Sequence, residues 1–434
     1  MTRMGALASR ERNVELLLLL GAGSVVLLGW MSLRSADFGL PEGSSRILTQ
    51  FVVAGLAAHV VLRFGAPRAR PETTAIAVFL SAVGMVFVVR LAPDVAQDQA
   101  NWMTIGAAAF AAGVFAGRRY GFLKRYTYTS GVAAILILVA TGLFGTTING
   151  ARLWVTVAGQ TVQMTELIKV FVLLFLAGYL TDAGSVLASR TLHLGGRTYS
   201  GTGYIVPLLG VVLGATAALA LLRDLGSIAI LLLLAIAALY VATGRVRFVA
   251  GGLMLLVFTG VIGFFAFDHA QARVDIWLDP GSDPGGAGYQ SLQGSYAIQA
   301  GGLTGQGLGL GQPEAIPAAP TDYVFSAIAE ELGLAGGGAI ILLFAALLFA
   351  GFKIAYEAPD AYARLLASSI AMLFAIQAAV IIGGNLRIIP TTGITLPFVS
   401  YGGSSLVVNL GLAGMLAGIS HASRAAARLS NNQA

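Results

Sequence analysis

The chain has 434 residues, of which 57% are hydrophobic and only 11% charged, with a mean hydropathy of +0.82 and a formal net charge of +6. Soluble domains carry about 25% charged residues, so this composition excludes an ordinary soluble enzyme and points to a membrane protein. No cysteine is present, which excludes disulfides and thiolate metal or redox sites. The basic excess is assigned to cytoplasmic loops and not to nucleic acid.

A membrane span needs about 20 apolar residues. In chain order the hydropathy pattern predicts twelve, over 15–33, 46–64, 73–91, 102–117, 128–147, 163–183, 203–222, 225–243, 248–268, 322–351, 364–386 and 397–420. The fourth is short, and only "RDLG" separates the seventh from the eighth. The first run, "ELLLLLGAGSVVLLGWMSL", reads as a span and not a cleavable signal, because no A-x-A-like site follows it. With the N-terminus inside, 18 of the 26 Lys and Arg fall on the cytoplasmic side, the bias expected of cytoplasmic loops. Both termini are therefore expected in the cytoplasm, and the segment 269–321 outside. That segment has little apolar periodicity and far exceeds the usual connection of about 4–6 residues. Its regularly spaced aromatics and glycines argue for function over simple disorder.

Four polar constellations then gather near the outer face. "NGARLW" carries Arg152 and Trp154. "QMTELIKV" puts Glu166 and Lys169 at i, i+3 on one helix face. "TDYVFSAIAEELG" carries Asp322, Glu330 and Glu331, and "PTTGITLPFVSYGGSS" carries Ser400 and Ser404. A carboxylate at the centre of a span costs at least about 2.5 kcal/mol, so these acids need a reason. Each has two readings. Glu166 and Lys169 either neutralise one another inside a bundle or serve a substrate. Arg152 is an interfacial snorkeller or an anion ligand. Glu331 helps break or pack its helix or joins the site. Asp322 is a helix N-cap paired with Thr321, a reactive carboxylate, or both. "GGLTGQGLGLGQ" is a flexible loop or a close-approach surface, and lacks the Gly-Lys-Ser/Thr of a P-loop. Asp275, Asp279 and Asp283 lack the ligand pattern of a calcium loop, and the four histidines are isolated. Residue reading alone therefore reaches a polytopic protein with a charged cleft opening to the outer leaflet, either a transporter or an enzyme acting on a lipid-linked or extracytoplasmic substrate.

Six segments in the same order resemble the SEDS family, the RodA, FtsW and SpoVE proteins of bacterial peptidoglycan synthesis: "GARLW", "QMTELIKV", "RDLGSIAI", "GYQSLQGSYAIQAGGLTGQGLGLG", "TDYVFSAIAEELG" and "PTTGITLPFVSYGGSS". The resemblance covers about 145–420. Departures include Met164 for the usual Pro, Thr165 for Ser, Arg223 for the Pro before Asp-Leu-Gly, and Ala318 for a Glu.

The resemblance implies an all-α polytopic membrane protein of about 12 helices, a core of ten plus two at the N-terminus. A membrane segment is expected over 1–127 and the catalytic membrane core over 128–434. It implies a glycosyltransferase that polymerises lipid II with inversion, releasing undecaprenyl diphosphate, in cell elongation or division. A lipid II flippase is the alternative. The cell location implied is the bacterial cytoplasmic membrane, with the site facing outside. Asp322 is the expected base. Arg152, Trp154, Glu166, Lys169, Gln290, Gln293, Gly305, Glu330, Ser400 and Ser404 are the expected substrate residues. A divalent cation (Mg or Mn) is the implied cofactor. Lipid II, a class B penicillin-binding protein and membrane lipid are the implied partners.

Overall fold

The computed structural model describes residues 3–148, 151–157, 159–188, 191–194 and 197–431. Four helices open the chain: α1 (Arg3–Ser35), α2 (Ser44–Val60), α3 (Pro71–Leu91) and α4 (Ala96–Arg118). Pro71 stands at the first position of α3, where its fixed φ suits a helix and its missing N–H costs nothing. A short α5 (Tyr120–Lys124) leads to α6 (Thr127–Phe144), α7 (Met164–Ala188), α8 (Ile205–Leu221), α9 (Leu225–Thr243) and α10 (Val246–Ala266). The helices α11 (Asp268–Leu278), α12 (Tyr289–Gly301), α13 (Val324–Tyr356), α14 (Ala361–Asn385) and α15 (Gly403–Asn431) complete the chain.

Among the described residues, eleven helices are long and apolar enough to cross a membrane. The seventh expected span, α8, has 17 residues. That is about 26 Å at 1.5 Å per residue, short of a hydrocarbon core of about 30 Å. "RDLG" does separate two helices. Arg223 takes φ 64, and the Asp224 carboxylate caps α9 by accepting from the Ser227 N–H at 2.9 Å and its hydroxyl at 2.6 Å.

Two departures from an all-helical expectation lie between spans. The first is a three-stranded antiparallel sheet of β1 (Thr146–Ile148), β2 (Ala151–Val157) and β3 (Gln160–Gln163). The second is a hairpin of β4 (Thr191–Leu194) and β5 (Arg197–Ser200). None of the strands contains an apolar run of span length, so a search for spans passes over them. The segment 269–321 is likewise built, carrying α12 and nearly all of α11.

Contacts divide the chain into two compact units. One comprises Met1–Arg118, His269–Ala350 and Gln377–Ala434, and the other Arg119–Asp268 and Gly351–Ile376. In the first, α4 and α15 pack backbone to backbone. A Cβ at Gly113 would collide with the Gly411 carbonyl, one at Gly117 with Met415, one at Gly414 with Phe110 and one at Gly418 with Val114. Small residues permit such an approach where lipid supplies no hydrophobic drive for helix association. In the second, α7 packs with α6 and α9, and α10 with α9.

Candidate functional site

Asp322 lies in the turn just ahead of α13 and not on it, because the helix begins at Val324. The turn closes on Ala318, whose carbonyl accepts from the Thr321 and Asp322 N–H groups at 3.1 and 3.0 Å. Ala318 itself takes φ 53. Asn385, at the end of α14, does the capping expected of Asp322. Its Oδ1 accepts from the Ser326 N–H at 3.2 Å and the Ser326 hydroxyl at 3.3 Å, while its Nδ2 donates to the Asp322 carbonyl at 2.9 Å. An N-cap must satisfy a free first-turn donor. With Asn385 in that post, the Asp322 carboxylate is spared for other work.

The last motif grips this turn from the other side. The Ser400 hydroxyl donates to the Thr321 carbonyl at 2.5 Å and accepts from the Leu396 N–H at 2.9 Å. The Tyr401 N–H donates to the Pro320 carbonyl at 2.8 Å. Ser404 is buried in the first turn of α15. From α12, Gln290 donates its Nε2 to the Pro317 carbonyl at 2.8 Å. Gln293, one turn further along the same helix, is half-buried.

Asp322 itself is half-buried at the edge of a small cleft, lined also by Tyr323, Gly384, Asn385, Thr391, Thr392 and Gly393. Burial pushes its carboxyl above the usual carboxylate range, while the hydrogen bond with Thr321 and the positive charge of Arg273 pull it back down.

The glycine-rich loop is also fixed, and not flexible. The Gln306 and Gly307 N–H groups donate to the Glu330 and Glu331 carbonyls at 2.9 and 3.0 Å. The Leu334 and Ala335 N–H groups donate back to Gly302 and Leu303 at 2.9 and 3.2 Å. These bonds are freed for the loop because α13 breaks at Gly333, with φ 66 and ψ −167. Gly305, with φ 83, has no room for a Cβ beside the Glu331 carbonyl. The Glu330 carboxylate accepts from the Gln312 N–H at 2.8 Å. Glu331 pairs with the buried Arg90 of α3 at 2.9 Å, and Arg90 also reaches the Gly311 carbonyl at 3.0 Å and Glu314 at 3.1 Å. So the two acids of the span have partners, and both serve to hold the loop.

The remaining expected residues sit in the other unit. Arg152 and Trp154 are on β2, whereas Asn149 and Gly150 of the same motif lie outside the described residues. Arg152 is exposed and donates to the Gly142 carbonyl at 3.1 Å, where a cation suits the C-terminal end of α6. Glu166 and Lys169 are buried on α7 and paired at 2.8 Å. Glu166→Gln or Lys169→Met alone leaves one buried charge unpaired and is expected to cost about 3–5 kcal/mol. The double variant should recover most of that loss. Thermal unfolding of the four proteins in detergent checks it, and a double variant no more stable than the singles removes the pairing argument.

Residue reading overlooked Arg273 and Asn385. Arg273 left a signal, being the only Lys or Arg between 269 and 321. Asn385 left none, because its partners are 59 and 63 positions away in the chain.

Comparison with known proteins agrees with this layout. The family model for FtsW, RodA and SpoVE cell cycle proteins matches residues 72–425, beginning within α3 and leaving α1 and α2 ahead of it. The chain is 34% identical over 428 residues to the peptidoglycan glycosyltransferase RodA of Mycobacterium tuberculosis, covering 95% of this chain and 91% of that protein. It is 36% identical over 299 residues to the stage V sporulation protein E of Bacillus subtilis, covering 67% and 77%. Among solved structures, a chain of a peptidoglycan synthase complex that coordinates polymerization and crosslinking superposes with a TM-score of 0.68 at 28% identity, covering 82% of this chain and 98% of that one. A crystal structure of a Thermus thermophilus RodA variant gives 0.60 at 25%, covering 81% and 97%. The helical membrane architecture, the ordered motifs and a match spanning most of the sequence together place this chain in the FtsW/RodA/SpoVE family.

Proposed function

We propose that the chain is a peptidoglycan glycosyltransferase that polymerises lipid II at the outer face of the bacterial cytoplasmic membrane. The observation that carries this reading is Asp322. It is a carboxylate relieved of capping duty, set in a cleft at the mouth of a span, and surrounded by backbone that three separate motifs hold in place. In the reaction, the acceptor sugar hydroxyl gives its proton to Asp322 as its oxygen bonds to the anomeric carbon of the donor. The bond from that carbon to the diphosphate oxygen breaks with inversion, and undecaprenyl diphosphate leaves with the electron pair. A base near the operating pH is suited to the first transfer, and burial raises the Asp322 carboxyl in that direction. Arg152 is an exposed cation on β2, while Lys169 is already neutralised by Glu166.

The residues present are a poor donor set for a divalent metal. Among the described residues, no group of three or more His, Asp or Glu could hold one, and the charge nearest Asp322 is a guanidinium. The kinship with a chain from a complex coordinating polymerization and crosslinking supports a class B penicillin-binding protein as partner.

The test is polymerisation of purified lipid II by the detergent-solubilised protein, with and without that partner. Glycan strands support a polymerase. Transfer of lipid II across a vesicle bilayer with no polymer formed would favour a flippase. Sidedness is checked separately. A cysteine placed at Ser282 should react with an impermeant reagent in cells whose outer barriers are opened, and one at Gly121 only after the cytoplasmic membrane is breached. The reverse pattern would put Asp322 on the wrong side for this substrate.

A further inference from the structure

Arg273 has no part in the transfer just described, yet it is the only Lys or Arg between 269 and 321 and its guanidinium faces the proposed base. It sits on α11, half-buried, with Nη1 donating to the Thr391 carbonyl at 3.3 Å. One turn further along α11, Trp277 locks the helix in place. Its indole N–H donates to the Arg387 carbonyl at 2.9 Å, and the Arg387 guanidinium donates back to the Trp277 carbonyl at 3.0 Å. Between Arg273 and Asp322 stands Gly393, with φ 69. The point where a Cβ would project from Gly393 lies 3.2 Å from Arg273 Nη2 and 3.6 Å from Asp322 Oδ2. Gly393 itself is exposed. Among the described residues, Arg273 and Asp322 form no direct ion pair. The geometry is thus a carboxylate and a guanidinium facing one gap across a residue with no side chain.

We propose that Arg273 is a positioning residue for the transfer reaction, holding Asp322 in its ionised, proton-accepting form across the Gly393 gap without occupying the oxygen that receives the proton. This rests on the reading of Asp322 as base. The physical reason is a compromise of distance. A bidentate contact would engage both carboxylate oxygens in strong charge-assisted bonds and leave a poor base. A guanidinium set back by the width of a gap still favours the charged form by Coulomb attraction, while the acceptor hydroxyl can enter. The other groups around Asp322 do not replace it. Asn385 and Thr321 are neutral, Tyr323 is a phenol hydrogen-bonded to Ser291 and Thr391, and Arg387 is committed to Trp277.

The sign is fixed by the directions found. Burial raises the Asp322 carboxyl and Arg273 lowers it, so removing the guanidinium must move the acid limb of activity to higher pH. The experiment measures kcat/KM for lipid II polymerisation from pH 5.5 to 9 in full-length protein carrying Arg273→Gln or Arg273→Lys. Arg273→Gln is expected about tenfold below wild type at pH 6 and within about threefold at pH 8.5, and Arg273→Lys should restore most of the acid limb. An equal loss at every pH, or no loss at all, overturns the proposal, because a packing role would not move the profile. The base assignment is judged separately. If Asp322→Asn retains wild-type activity, that reading has failed. If Asp322→Asn is inactive but the Arg273→Gln profile is unshifted, only the role given to Arg273 has failed.

Discussion

Asp322→Asn is expected to lower the rate of lipid II polymerisation by about 10²–10⁴-fold, the contribution typical of a positioned general base. The melting temperature should stay within about 3 °C of wild type. The side chains are nearly isosteric, and Asn can still hydrogen-bond Thr321 but cannot take a proton at neutral pH. Because Asn385 supplies the cap of α13, the helix start does not depend on the Asp322 carboxylate, so little stability is at stake. Activity and thermal unfolding are measured on the same detergent preparation. Near-wild-type polymerisation would remove Asp322 from the chemistry. A large drop in melting temperature would return it to a structural role.

Gly305→Val should be the most damaging single change outside the cleft. The residue holds φ 83 against the Glu331 carbonyl, so a branched side chain meets both backbone strain and a collision with main chain. Strain at such a φ costs about 1–3 kcal/mol and overpacking about 1–3 kcal/mol more. The loop cannot yield cheaply, since its neighbours Gln306 and Gly307 are bonded to the opened carbonyls of α13. We expect a loss of about 3 kcal/mol or more and no polymerisation. Gly338→Ala on the same helix is the contrast. Nothing lies within 4 Å of its Cβ position, and replacing a mid-helix glycine should gain about 0.5–1 kcal/mol. If both substitutions behave alike in thermal unfolding, the loop is not held as described.

Hydropathy located the spans, because an apolar run long enough to cross a bilayer is a local property of sequence. α8, with 17 residues, sits at the lower end of the length that crosses a bilayer, and its apolar run alone does not separate it from the longer spans. The segment 269–321 is recognisable as built from its spacing of glycine and aromatics, but α11 and α12 are not, since their partners lie on distant chain. Residue type and spacing also sufficed to single out Asp322, the Glu166–Lys169 pair and the glycine-rich run, since charge in a span and glycine in series are conspicuous by themselves.

What each of these does was decided by contacts across long stretches of chain. Glu331 became a loop anchor only because Arg90, 241 positions away, reaches it. Ser400 became a clamp on the Asp322 turn from 79 positions away. Asn385 took the capping role that local spacing had offered to Asp322. A single sequence states which groups are present and how near they lie along the chain. Hydrogen bonds and Coulomb attraction act over a few ångströms of space, and only the folded chain brings Arg273, Gly393 and Asp322 within that range of one another.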